Sequence, residues 1–160
     1  MAGFVNVVGA AAANPESTDV TPKEGMYVMS VDYQDLGLGY GGLVLQFDNA
    51  DFTQFAQLTT YNALVFSLNT SSFPEFDDIG IEIEDAFTNK APVRLADYPP
   101  RVDGDWETYV IPLADFNAAN PSTDLTNVKF LMFLTPVDTA DVTISGVFYL
   151  DDIHLAAYST

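Results

Sequence analysis

The sequence predicts an all-β fold, a two-sheet antiparallel β-sandwich of jelly-roll type. Three observations carry that expectation. The 160-residue chain is cut by Gly, Pro, Asn and Asp into short apolar runs at close intervals, the pattern of many short strands joined by turns. Inside most of those runs apolar residues recur at every second position, as in a strand with one buried face. Only one short stretch has helical spacing.

The elements follow in order. GMYVMSVDY, residues 25–33, sets Tyr27, Met29, Val31 and Tyr33 against Met26, Val28, Ser30 and Asp32. LGLGYGG breaks that strand, and LVLQF, residues 43–47, begins the next. A polar, aromatic-studded connection, DNADFTQFAQLTTY, leads to ALVFSLN, residues 63–69. The cleanest alternation is IGIEIED, with Ile79, Ile81 and Ile83 on one face and Gly80, Glu82 and Glu84 on the other. WETYVIPL, residues 106–113, groups Tyr109, Ile111 and Leu113, and Pro112 suggests an edge or a bulge. LADFNAAN, residues 113–120, is the one expected helical turn, ended by Pro121. VKFLMFL, residues 128–134, is continuously apolar, as in a strand covered on both sides.

The last run, GVFYLDDIHL at residues 146–155, poses a problem. Of two adjacent strand residues one should face the core side, yet Asp151 and Asp152 are both acidic, and a buried unpaired carboxylate is costly. A bulge, a cation or a strand end in water would resolve it. Residues 1–160 are expected to form one domain, with residues 1–20 partly linker or N-terminal loop.

Composition narrows the function. With 23 acidic residues against 5 Lys plus Arg the net charge is −18, so a phosphate backbone or an anionic membrane surface is a poor partner. Anionic polysaccharides are repelled too. There is no cysteine, which removes disulfides and thiolate metal sites. No run of about 18 apolar residues occurs, so no membrane insertion is expected. MAGFVNVVGAAAA lacks the basic start of a secretion signal, although a secreted or extracellular location, with cell surface or periplasm as variants, suits the acidity.

Three pieces in order carry a family resemblance. GDWETYVIPLADF, residues 104–116, resembles the Trp, spacer, apolar-Pro-Leu, spacer, Phe signature of jelly-roll carbohydrate-binding modules. FYLDDIHL, residues 148–155, is similar to their closing strand, and Tyr61 to Phe66 is similar to the strand after a polar turn there. The likeness runs over roughly residues 24–155 in element order and is nearest to modules appended to β-glucanases and β-glucosidases, with the galactose-binding-like sandwich in general sharing the fold. It implies polysaccharide or oligosaccharide as ligand and the catalytic domain of a parent glycoside hydrolase as partner. It also implies that Asp151 helps to bind a structural calcium ion, with Asp152 in solvent beyond a bulge. The matching tryptophan in such modules is usually structural, which gives Trp106 that reading beside the one as a stacking platform.

Sugar binding needs a groove, aromatic rings and hydrogen-bonding side chains. Tyr33 and Tyr40 flank the Gly-rich turn; Gln46 alternates with Leu45 and Phe47 and suits a concave face; Tyr98 stands among Arg94, Asp97 and Arg101. Asp97 could fix either arginine as a planar donor fork for ring hydroxyls. Tyr33, Tyr40, Gln46, Arg94, Asp97, Tyr98, Arg101 and Trp106 are therefore the candidate ligand residues. The expected ligand is a neutral polysaccharide, foremost a β-glucan, held by stacking and polar contacts. The alternative is a structural accessory sandwich of a glycoside hydrolase with no sugar site.

Catalysis is not expected. Glu82 and Glu84 share a face, but GIEIEDA lacks the final glutamate of the Glu-x-Asp-x-x-Glu strand, and with 23 carboxylates a same-face pair is expected by chance. His154 is a lone histidine, no Gly-x-Ser-x-Gly element precedes a helix, and GLGYGG has no Lys or helix after it.

Overall fold

The alternation seen in the sequence becomes two facing antiparallel sheets. The computed structural model describes residues 4–9, 11–34, 41–55 and 59–158. Along the chain run β1 (Phe4–Gly9), β2 (Ala11–Ser17), β3 (Val28–Tyr33), β4 (Gly41–Ala50), β5 (Gln54–Phe55) and β6 (Thr59–Thr60). There follow β7 (Ala63–Asn69), β8 (Asp78–Asp85), β9 (Lys90–Arg94), a 3-10 turn (Leu95–Asp97), β10 (Arg101–Asp103) and β11 (Trp106–Pro112). α1 (Leu113–Ala119), β12 (Val128–Val137) and β13 (Gly146–Ala156) complete the order. One sheet has five strands in the order β1-β4-β12-β8-β9, the other six in the order β10-β11-β7-β13-β3-β2, and β5 pairs with β6.

The core lies between the sheets. Register brings Leu43, Phe133, Ile81 and Val93 into one inward row across four strands. From the other sheet Phe66 meets Phe133 edge-on at 5.0 Å and lies against Tyr109 at 5.6 Å. Ile79, Ile81 and Ile83 are all within 1% of complete burial, so the period-two reading of β8 holds residue by residue. β12 is central in its sheet, and the two sides of its apolar run differ. Leu131 and Phe133 are core, whereas Phe130 and Leu134 lie half-buried on the outer face. The expected helical turn is α1, which follows Pro112, buries Leu113 and Phe116 and ends ahead of Pro121. Pro112 closes β11 opposite Ala63, at a strand end rather than an edge.

Two expectations need correction. Residues 4–9 and 11–17 are strand, not linker: β1 pairs with β4 along its whole length, and β2 pairs with β3, so each forms an outer strand of a sheet. The backbone of an Ala-rich segment can complete a ladder without any side-chain signal. β9 and β10 were also missed, because KAPVR and RVD are too short and too polar to alternate visibly.

The pair Asp151 and Asp152 is resolved by a bulge. The β13–β7 register shifts between Asp151 and His154, and Asp152 sits at φ +52°. An extra residue in one strand lets both carboxylates turn away from the core. Among the described residues no helix is long and apolar enough to cross a membrane.

One buried carboxylate ties the turn after β8 to the loop before β12. Asp85 has no exposed surface and accepts four hydrogen bonds: the Phe87 and Asn89 N–H groups at 2.8 and 2.9 Å, and Asn89 Nδ2 and the Asp124 N–H at 2.9 Å each. Burial alone would raise its pKa, but the four donors outweigh burial and hold it below the ordinary 3.8. A carboxyl depressed in the folded state adds stability that is complete above its unfolded pKa and is lost as pH falls through the folded one. Replacing Asp85 by Asn leaves the Asp124 N–H facing an amide. We expect Asp85→Asn to lose roughly 2–4 kcal/mol at pH 7, read as a melting temperature lower by roughly 5–12 °C. The gap to wild type should narrow as pH falls below about 3.8, and a gap independent of pH down to acid unfolding would refute this role.

Candidate functional site

The outer face of the five-stranded sheet is the surface with the composition of a binding site. Its rows follow the register. Gln46, Phe130, Glu84 and Lys90 stand side by side, and Val44, Met132, Glu82 and Pro92 form the next row. Beyond them Leu134 lies between Gly42 and Gly80; a Cβ on Gly42 would fall 2.3 Å from the Phe133 carbonyl oxygen, and one on Gly80 would fall 3.1 Å from Leu134 Cδ1. The two glycines keep this row low, and the β12 bulge between Phe133 and Pro136 lies beside it.

The low row opens into a groove of about 670 Å³ between the sheet, the 3-10 turn and α1. Gly80, Pro92 and Leu134 make an apolar floor, and Ala118 and Ala119 of α1 form one wall. Arg94, Asp97, Tyr98 and Asp115 supply its polar groups. A mostly apolar cleft of this size with a few converging polar groups is the usual form of a small-ligand site.

Arg94, Tyr98 and Asp115 are each held by a partner. Asp78 at the start of β8 is buried, and its Oδ1 accepts the Ile79 N–H at 2.8 Å and the Ala96 N–H at 2.9 Å. Its Oδ2 accepts Arg94 Nε, and Arg94 Nη2 bonds Asp141 Oδ1 at 3.0 Å. Arg94 is thus fixed by Asp78 and Asp141, not by Asp97, with its guanidinium half-exposed at the groove. The Tyr98 hydroxyl donates to Asp115 Oδ2 at 3.1 Å. Burial, and then the Asp115 carboxylate, push the Tyr98 pKa up to about 12. The phenol therefore stays protonated at any physiological pH, as a neutral ring with an oriented hydroxyl. Asp97 is exposed at the rim.

Glu82 and Glu84 do share a face, but Lys90 bridges them at 3.0 and 3.4 Å. Hydrogen bonding to Glu82 raises the Lys90 pKa, so the bridging charge is permanent. This is a cross-strand ion-pair cluster at the sheet edge.

The other candidates fall elsewhere. Gln46 is on the same outer face as the groove but in a row further from it. Tyr33 is 1% exposed in the core and has no open ring face for a sugar, since its alternation phase points between the sheets. Arg101 is on the edge strand β10 of the opposite sheet, and Tyr40 lies outside the described residues. Trp106 faces outward in phase yet is only 6% exposed, because residues 19–23 cross over it; its Nε1 donates to the Thr21 carbonyl at 3.0 Å. It packs with Val28 and Tyr149 and is a structural residue. What the sequence reading missed is Asp115, Ala118 and Ala119, which share a helix face at spacings of three and four, and the long-range anchors Asp78 and Asp141.

Asp151 belongs to the same strap as Trp106. Its Oδ2 accepts the Glu24 N–H at 2.9 Å and its Oδ1 the Asp152 N–H at 2.8 Å. Among the described residues no three His, Cys, Asp or Glu come together where a metal ion could sit. Both Asp151 oxygens thus already accept an N–H, and a calcium ion, which takes six to eight oxygens, would have to draw the rest of its ligands from backbone carbonyls.

Comparison with known proteins gives a family and a fold. The family model described as Carbohydrate binding domain 30 matches residues 5–157. The family 30 carbohydrate-binding module of a cellulosomal cellulase of Clostridium thermocellum superposes with a TM-score of 0.72 at 18% identity, covering 99% of this chain and 92% of that one. A family 11 carbohydrate-binding module from Clostridium thermocellum, in complex with a β-1,3-1,4-mixed-linked tetrasaccharide, gives 0.58 at 18% identity over 96% and 87%. A β-1,2-glucanase from Parabacteroides distasonis matches at 0.66 and 20% identity over 98% of this chain but 23% of its own length. No curated protein sequence matches the chain.

Proposed function

The chain belongs to the Carbohydrate binding domain 30 family, a family of non-catalytic carbohydrate-binding modules, and we propose that its ligand is a neutral β-glucan lying along the outer face of the five-stranded sheet. The observation that carries this reading is the groove in which Arg94, Asp97, Tyr98 and Asp115 surround an apolar floor. A pyranose ring has apolar faces and a hydroxyl rim, and the floor and the Tyr98 ring match the former while the charged groups match the latter. Carboxylates at the rim and a net charge of −18 select against uronic and sulfated polymers. The complex of the family 11 module with a mixed-linked tetrasaccharide supports a β-glucan as the class to test. In this reading the domain is extracellular and tethered to a glycoside hydrolase, whose local substrate concentration it raises.

Calorimetry against lichenan, barley β-glucan, laminarin and xylan tests the proposal. Arg94→Lys keeps a charge for buried Asp78 but loses the planar fork, and Asp97→Ala removes an exposed acceptor. Each is expected to weaken binding about tenfold, the worth of one charge-assisted hydrogen bond. Arg101→Ala, on the opposite sheet, should bind as wild type does. No heat with any of the four glycans would leave the chain as a structural accessory sandwich.

Calcium at Asp151, which the resemblance implies, has its own test. With N–H donors on both carboxylate oxygens, melting curves in EDTA and in excess calcium should coincide. A calcium-dependent rise in Tm that Asp151→Asn abolishes would instead establish the ion.

A further inference from the structure

Strand β11 carries a residue its fold does not ask for. Alternation places Glu107 on the same side as Tyr109 and Ile111, which is the core side. Its neighbours in register confirm the phase: Glu107 pairs with Leu68, and Leu68 with Leu150, both buried. A carboxylate in an inward row is expensive unless it reaches water or a partner. Glu107 is nonetheless only half-buried, because at this end of the sandwich the sheets part to leave a second cleft of about 300 Å³.

The cleft is lined by Glu107, Tyr109, Thr70, Tyr98, Phe76 and Pro100. The Tyr109 hydroxyl donates to Glu107 Oε2 at 2.7 Å. Among the described residues Glu107 Oε1 takes no hydrogen bond. Burial and the neighbouring Glu107 raise the Tyr109 pKa, so Tyr109 stays a donor. Asp77 adds a second carboxylate. Tyr98 lines both this cleft and the groove on the sheet face, so the two are neighbours.

We propose that this cleft is a second sugar site, which takes a single neutral hexose unit. Its chemistry is that of a hydroxyl acceptor: Glu107 receives ring hydroxyls through Oε1, and Phe76 and Pro100 meet the apolar ring face. The two carboxylates exclude a sugar acid. The volume suits one ring and not a chain. With Tyr98 as the shared wall, a one-sugar branch or terminal unit of a glycan held in the groove can reach the cleft. That last point rests on the groove reading; the single-hexose site does not.

Amide chemical-shift titration of the whole chain with glucose, galactose, xylose and glucuronate tests this, beside lichenan calorimetry on the same samples. A neutral hexose should shift the amides of Thr70, Ala96, Glu107 and Tyr109, and glucuronate should not. Glu107→Gln keeps an acceptor for Tyr109 and should retain the wild-type Tm and lichenan affinity. It should weaken hexose binding at least about tenfold, the worth of a charge-assisted hydrogen bond. Hexose shifts without lichenan heat would overturn the groove reading and support the cleft. Lichenan binding with no hexose shift at these amides, equal binding of glucuronate, or unchanged hexose binding in Glu107→Gln would overturn the cleft.

Discussion

The groove hangs on one buried carboxylate. Asp78 is 1% exposed, and a charge in that position persists only if its oxygens are satisfied. It meets that demand with three donors from two neighbouring parts of the chain: its own strand, and the Arg94 to Ala96 corner that ends β9. The consequence is positional. The 3-10 turn is pinned above the strand, which sets Asp97 and Tyr98 at the rim, and Arg94 is aimed along the sheet instead of into solvent. Through Asp141 the same arginine also fixes the loop after β12. One satisfied charge thereby determines where three candidate ligand residues stand.

The opposite sheet shows the same economy of anchors used for stability. Its outward face is covered where the strap of residues 19–24 crosses it, tied by the Trp106 indole to Thr21, by Asp151 to Glu24, and by the 2.5 Å pair of Lys23 with Asp103. Trp106 is buried there in spite of its outward phase because the second layer comes from the chain's own N-terminal segment. The two sheets divide their labour: one outer face is roofed, the other is left open over a floor lowered by Gly42 and Gly80.

That division explains how a family relationship persists at 18% identity to a solved family 30 module. The inward rows need only apolar volume, and many sequences supply it. A shared sandwich states little about which sugar is bound, because specificity lies in the few side chains over the open face and in the loops that hold them. In the proposed site those are an arginine clamped by two aspartates and a tyrosine whose hydroxyl is already oriented. Such held groups lose little freedom when a ligand arrives.

The sequence by itself determined the class of fold, the core faces and the absence of catalytic spacing. Period-two alternation in residues 79–85 and 106–113 is a local property, legible because each strand reports its own buried side. It also brought forward Arg94, Asp97 and Tyr98, because a charged and aromatic cluster in a Pro-rich loop is local as well. Only the tertiary structure decided which aromatics were available. Tyr33 and Trp106 look alike in the chain as exposed ring candidates, yet one faces the other sheet and one lies under a strap contributed from 85 residues away. Asp78, Asp115 and Asp141 could not be read as parts of one site, since no pattern in sequence links positions that meet only when β8, α1 and the loop after β12 pack together. Local periodicity fixes which side a residue faces; what stands opposite it depends on sheet order and on the few buried charges that force distant segments to meet.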